Sequence, residues 1–419
     1  MDTESSTSPR LSADATKLIC DMLVFHFVPD LDIAARKAEW YDSILSDASV
    51  PVFEPGETAS MRALLARIVR DNLEERRADR VRIGVSSGLD SRICFGAALD
   101  VLPADRIHVF THGHPGNRDY ENAPYLLDKR TVHHALHNRE LVGVGTGDRK
   151  GLKTLFDRET IIFKGEKGPS DAPSIGGRLG DAISGGHLRL REPTTSWAEA
   201  KTAFSRTFSI KQKLLDYMYR QGILPADYVP EDSLPKQPPL DAQLMAYDDQ
   251  LDLLFRQHQN ICLRAGGIDS LNVKLVAGSD SVEEQNGSAF QPFMDARWQK
   301  SFLRTPRKQR VKQKLYKRLA VEQYADIFPD MVDPDYQIIA PDGVTSTDWR
   351  VMWPKHESLG ESAKALLGSL NDRGGWFDVD RLTHLTGEQS GGAMKVVKRL
   401  CHIEARLAGG LVPGPMTSP

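Results

Sequence analysis

Hydrophobic positions recur at helical spacing along the first part of the chain. They fall at Leu18, Leu23, Val24 and Phe27, then at Ile33, Ala34, Trp40 and Ile44. That spacing predicts two short helices broken near Pro29. Residues 48–57 are turn-rich, and 60–76 read as an amphipathic helix with Leu64, Leu65, Ile68, Val69 and Leu73 on one face. The period then changes. Residues 82–85 alternate as a short strand and end in Ser86-Ser87-Gly88-Leu89-Asp90-Ser91, and an apolar helical run follows through Ile93, Cys94, Phe95, Ala97, Ala98 and Leu99. After a turn at 103–106 come a second strand at 107–111, a loop at 113–118, a helix from near Asp119 and a third strand at 140–144. Strand–helix–strand alternation predicts an α/β fold with a parallel sheet and right-handed crossovers.

The rest of the chain is less regular. Residues 145–174 hold one β-like run, 160–163, and then a second glycine-rich turn, Ser174-Ile175-Gly176-Gly177-Arg178-Leu179-Gly180-Asp181, which ends in Gly185-Gly186. Helices are predicted at 198–220 and 240–264, joined by a connection rich in proline. Gln291-Pro292-Phe293-Met294-Asp295 precedes a further helix and a basic run from Arg304 to Arg318, and helices also fit 358–370 and 391–407. There is no internal repeat. The expected division is a helical extension at 1–58, an α/β core at 59–200, a mainly helical part at 201–408 and a disordered tail at 409–419.

Composition narrows the picture. A length of 419 residues favours two domains, and 40% hydrophobic with 26% charged residues is an ordinary globular balance. A net charge of -3 gives no reason to expect nucleic acid or an anionic membrane as partner. No apolar run approaches the ~20 residues that span a bilayer, and residues 1–13 lack a signal-peptide core. Four dispersed cysteines form no C-x-x-C pair, so the expected compartment is a reducing cytoplasm. His112-x-His114 has no carboxylate or cysteine to complete a zinc pattern, and a place along a nucleotide or substrate pocket suits these histidines better. A homo-oligomer is left open.

The chemistry lies in the two glycine-rich turns. A strand, a turn of small residues and a helix N-terminus leave backbone N–H groups aimed outward with the helix dipole behind them, which suits pyrophosphate. Each turn carries an aspartate, Asp90 or Asp181. Two carboxylates from separate strand ends suit Mg²⁺, which prefers carboxylate, phosphate and water oxygens. A lysine from the later basic run would supply a point charge at the reacting phosphorus.

These motifs carry a resemblance. Ser86-Ser87-Gly88-Leu89-Asp90-Ser91 resembles the S-G-G-x-D-S loop of N-type ATP pyrophosphatases, with Ser87 in place of the first glycine. More narrowly, the chain resembles the synthetase domain of the asparagine synthetase family, whose relatives include β-lactam synthetases and lasso-peptide cyclases. Asp119-Tyr120-Glu121 sits where that family has an acidic pair. Residues 177–186 resemble G-E-G-A-D-E-L-F-G-G, Pro292-Phe293-Met294-Asp295 resembles P-F-L-D, and Lys314-Leu315-Tyr316-Lys317-Arg318-Leu319-Ala320 resembles K-x-L-L-R-E-A. The resemblance covers about residues 60 to 330 and implies a PP-loop ATP pyrophosphatase core (HUP-like, adenine nucleotide alpha hydrolase-like) with a helical C-terminal half.

It also implies an activity and a site. ATP and Mg²⁺ would adenylate a carboxylate on a small molecule or peptide, and ammonia or an amine would displace AMP to form an amide. Ser86, Ser87, Gly88, Asp90 and Ser91 match the pyrophosphate loop. Asp90 and Asp181 match the Mg²⁺ ligands, and Lys314 the catalytic lysine. Thr111, His112 and Gly113 match the strand end that reads adenine. Asp119, Glu121, Arg178 and Gly180 fall near the substrate.

Departures from the family pattern matter as much. Met1 is followed by Asp2 rather than a cysteine nucleophile, so a glutaminase domain and glutamine hydrolysis are not expected. The family's substrate-facing glutamate is Arg178, which suits a substrate carboxylate and repels an α-amino group. The glutamate after the metal aspartate is Ala182. Intramolecular closure of a lactam or macrolactam is the alternative within this class, and a PP-loop enzyme that modifies nucleic acid is a second. A binding protein without activity is a third, favoured by Arg178 and opposed by Asp90, Asp181 and Lys314. Most of the basic run reads as solvated face or general phosphate attraction, and Arg318 as structural.

Overall fold

The computed structural model describes residues 13–25, 29, 31–113, 118–127, 132–138, 160–164, 171–186, 188, 193–208, 212–220, 222–256, 290–329 and 331. Two helices, α1 (Ala13–Phe25) and α2 (Leu31–Ser46), flank the expected break at Pro29. Helix α3 (Thr58–Glu75) buries Leu64, Leu65, Ile68, Val69 and Leu73, the face that its apolar spacing marks out. It leads into β1 (Val81–Gly84), where buried Val81 and Ile83 alternate with half-buried Arg82 and Gly84. Helix α4 (Leu89–Leu99) has no polar stripe, because it packs on β1 and α3 and buries residues around most of its circumference.

The sheet continues through β2 (Ile107–Gly113), α5 (Arg118–Leu126), β3 (His133–Asn138), β4 (Thr160–Lys164) and β5 (Ser174–Ile175). Its order is β4-β3-β2-β1-β5. Val81 pairs with Ile107, Phe110 with His133 and Ile83 with Ile175, all in parallel, and among the described strands β4 alone runs antiparallel, on β3. The chain is therefore α/β, as its alternation of elements predicts. The third strand begins at His133 rather than Glu140, and 140–144 lie outside the described residues. The run His133-His134-Ala135-Leu136-His137-Asn138 has no strand periodicity of its own. It extends because β2 and β4 offer it hydrogen-bonding ladders on both sides.

The chain steps from β1 to β2 and β3 on one side, and later returns to place β5 on the other side of β1. The carboxyl ends of β1 and β5 thus flank a topological switch point, where open α/β sheets bind ligands.

The helical half departs from its predicted outline. After α6 (Gly180–Ile183) come α7 (Trp197–Ala203) and α8 (Gln212–Arg220), with a π-helical turn at Phe204–Phe208 in place of a continuous helix. The helix predicted over 240–264 begins only at Tyr247, with α9 (Tyr247–Leu251) and a π turn at Asp252–Arg256, and residues 257–264 lie outside the described residues. Gln250 is the cause. Its buried amide accepts from Leu240 N–H at 3.1 Å and donates to the carbonyls of Leu240 at 2.9 Å and Met245 at 2.8 Å, which holds the preceding segment in turns. Further on are α10 (Ala296–Arg304), capped by Asp295, then α11 (Arg307–Arg310) and α12 (Lys314–Gln323). The segments predicted as helices at 358–370 and 391–407, and the tail 409–419, lie outside the described residues. No helix among the described residues is long and apolar enough to cross a membrane.

Trp298 stands at the centre of the packing in this half. It is fully buried against Phe53, Phe293 and Phe302, with ring centroids 5.1 to 5.8 Å apart. Trp298→Ala is expected to lower unfolding free energy by about 3–5 kcal/mol, read by urea denaturation; a loss below about 1 kcal/mol contradicts a core role.

Candidate functional site

The two glycine-rich turns follow β1 and β5 and meet at the switch point. Asp181 N–H donates to Asp90 Oδ2 at 3.1 Å, joining residues 91 positions apart. Glycine is what permits this approach. A Cβ at Gly177 would stand 2.8 Å from Asp90 Cβ, and one at Gly180 only 2.4 Å from Asp90 Oδ1. The second turn is fastened from behind. Gly176 N–H donates to Phe290 O at 3.0 Å, and Arg178 N–H to Gln291 Oε1 at 3.1 Å. Leu179 then takes a left-handed conformation, φ 69°, to launch α6.

The first turn corrects one expectation. Its amides are not all aimed into open space. Ser86 N–H donates to Ser91 Oγ at 2.9 Å, Gly88 N–H to Ser86 Oγ at 3.1 Å, and Ser87 N–H to Asp119 Oδ1 at 2.8 Å. The Ser87 hydroxyl donates to the same Asp119 oxygen. Serines in a glycine-type loop supply acceptors that close their neighbours' amides, and a carboxylate from α5 takes the place of an anion at Ser87. At the head of α4, Gly88 supplies no side-chain cap.

A third segment closes the site. Lys312 and Gln313 are both left-handed, with φ 55° and 61°. Arg310, expected as part of a solvated basic face, is instead buried and paired with Asp249 at 2.8 Å. Gln313 Nε2 donates to Ser184 Oγ at 2.9 Å. Among the described residues the left-handed non-glycine positions are Arg77, Leu179, Lys312 and Gln313; Leu179 adjoins the Gly180-Asp181 turn, and Gln313 bonds to Ser184 just beyond it. Backbone strain of this kind gathers where tertiary contacts over-determine a functional segment. The turn releases α12, whose first residue is the exposed Lys314. Two residues on, the fully buried Tyr316 brings its hydroxyl beside Asp90, within 2.8 Å of where a Cβ on Gly180 would lie. Burial, with the Asp90 carboxylate next, pushes the Tyr316 phenol well above its usual range, so it stays a neutral hydroxyl. Arg318 pairs with Glu322 along α12, the structural role expected of it.

The other predicted residues lie around this centre. Buried Thr111, at the end of β2, donates from Oγ1 to Asp119 O at 3.2 Å. His112 and Gly113 complete β2 opposite Ala135 and Leu136, and Glu121 lies on α5. His114 lies outside the described residues. Cys94 is buried below Asp90, and burial followed by that carboxylate raises its thiol well above the ordinary range, which removes it as a nucleophile. Among the described residues no three His, Cys, Asp or Glu side chains gather as a metal site. A cation at Asp90 and Asp181 would need phosphate or water oxygens to complete its shell.

Sequence reasoning missed three residues here: Tyr316, Gln313 and Arg92. Arg92 is wholly buried beneath the first turn. Its signal was an arginine on the edge of the apolar run 93–99, where a solvated charge has no natural exit. The chain matches no protein-family model and no curated protein.

The crowding around Asp90 is directly testable. Gly180→Ala is expected to cost about 1–3 kcal/mol by chemical denaturation. Gly222, left-handed at φ +66° with nothing within 4 Å, is the control, and Gly222→Ala should cost only about 1 kcal/mol. Equal costs at the two positions contradict the close approach.

Proposed function

We propose that this protein is an ATP-dependent, AMP-forming amide ligase of the asparagine synthetase-like, PP-loop type. The observation that carries the reading is the Asp90–Asp181 contact: the backbone N–H of one aspartate holds the carboxylate of the other, joining the two glycine-rich turns at the switch point of the sheet. The donor set fits Mg²⁺ bound together with phosphate. The Asp90 carboxylate lies against the turn that carries Asp181, and the bare Cα atoms of Gly177 and Gly180 leave space for it there. Asp90 and Asp181 would hold Mg²⁺, which offsets charge on the pyrophosphate.

The chain's own groups have definable tasks in this reading. Ser86, Ser87, Gly88 and Ser91 form the wall against which the β- and γ-phosphates lie, and Thr111 to Gly113 the wall for adenine. A substrate carboxylate oxygen forms a bond to the α-phosphorus as the bond to pyrophosphate breaks. The nitrogen of ammonia or an amine then bonds to the acyl carbon, AMP departs with that oxygen, and the nitrogen gives up its proton. Lys314 supplies positive charge as pyrophosphate leaves. Arg178, half-buried on the turn that carries Asp181, is the group suited to a second carboxylate on the substrate.

With a panel of carboxylates and amines, the products from ATP and Mg²⁺ are expected to be AMP and pyrophosphate; ADP and phosphate would sink the reading. Asp90→Asn and Lys314→Ala should each lower the rate by about 100-fold, and near-normal rates would show that other residues carry the chemistry. Asp119 makes a separate prediction of opposite sign. Its carboxylate occupies the two Ser87 donors that a phosphate would use. Without metal, Asp119→Ala should therefore bind pyrophosphate about fivefold more tightly than wild type. Weaker binding, by calorimetry, contradicts that competition.

A further inference from the structure

Arg92 has contacts that core packing alone does not call for. An arginine at the edge of a helix ordinarily runs its stem over apolar surface and leaves its head in water. Here the whole side chain is buried. Nε donates to Gly88 O at 3.3 Å, one terminal nitrogen to Ser87 O at 3.0 Å, and the other to Ile327 O at 3.3 Å. The guanidinium lies 4.1 Å from the centroid of the Phe328 ring.

Peptide planarity gives these contacts a consequence. The C=O of one residue points opposite to the N–H of the next. Drawing the Ser87 and Gly88 carbonyls inward turns the Gly88 N–H to the far side, where it donates to Ser86 Oγ at 3.1 Å, and turns the N–H of Leu89 away from the guanidinium. These amides belong to the turn and the first residue of α4, where Gly88 offers no side-chain cap. The guanidinium also places a permanent positive charge below the turn, behind the helix N-terminus. The second anchor lies on the segment that follows α12. That helix brings Tyr316 to Asp90 near its start, and its exit turn holds Arg92 through Ile327 and Phe328. One helix therefore touches the first turn from both of its ends.

We propose that Arg92 is a positioning residue for the anion-binding turn. It sets the directions of the Gly88 and Leu89 amides from beneath, and it ties that setting to the 327–328 segment. The proposal rests on the reading of this turn as a pyrophosphate grip. Lysine cannot replace the planar fork, because a single ammonium does not reach carbonyls in three directions from one fixed plane.

The test uses the full chain and inorganic pyrophosphate with Mg²⁺, titrated by calorimetry well below the thermal midpoint of each variant. Arg92→Lys is expected to bind pyrophosphate at least about tenfold more weakly than wild type while remaining folded. Phe328→Leu keeps the guanidinium but removes the ring beside it, and should weaken binding by about threefold. If Arg92→Lys does not fold, Phe328→Leu decides the matter. A lowered midpoint with affinity within about twofold of wild type in the folded variants is what purely structural packing gives, and it overturns the proposal. No pyrophosphate binding by the wild-type chain overturns the reading of the turn, and this inference with it. Wild-type binding that both variants share overturns this inference alone.

Discussion

The constraint on which the site depends is the narrow space beside Asp90. Two turns from strands on either side of the switch point converge there, and their approach leaves no room for a side chain at Gly177 or Gly180. Asp90 leads the first turn of α4, so its position follows from how α4 enters the core. Asp181 leads the first turn of α6, so its position follows from Leu179 and from the fastening of residues 176–178 to 290–291. The contact between them is a point where sheet topology, turn composition and helix packing must all agree.

Helix α12 enforces that agreement from the opposite side. Its entry is held by strained backbone at Lys312 and Gln313 and by the buried Arg310–Asp249 pair. Its exit is held by Tyr324, which packs on Gly96 so closely that a Cβ there would lie 2.5 Å from the ring. Arg62 joins the same junction with bonds to Asp100 and to Gln323 O, and the Tyr324 hydroxyl reaches Asp100 at 3.2 Å. Buried charge is costly unless it is satisfied. The buried Arg310–Asp249 pair joins α11 to α9 just before the helix that carries Tyr316 to Asp90.

The elements legible in the sequence are those whose environment is set by their own period. Helix α3 buries one face, and β1 alternates, so both can be read from the spacing of apolar residues. The two turns are legible because serine, glycine and aspartate in that order serve close approach and few other ends. What escaped depends on partners far along the chain. Strand β3 lacks a pattern and borrows its extension from β2 and β4. The predicted helix over 240–264 yields to the Gln250 amide. The closure of Ser87 by Asp119 spans 32 positions, so local turn chemistry at Ser86 to Ser91 does not disclose it. Tyr316 reads from its spacing as one more buried aromatic, and only the fold sets it against a carboxylate.

If Asp90 and Asp181 form one centre, their contributions to holding magnesium pyrophosphate cannot be independent. The most direct measurement is a double-mutant cycle on Mg²⁺-dependent pyrophosphate binding with Asp90→Asn, Asp181→Asn and the double variant. One shared centre gives a marked loss in each single variant and little further loss in the double. Losses that add, or single variants that bind as wild type does, would contradict it.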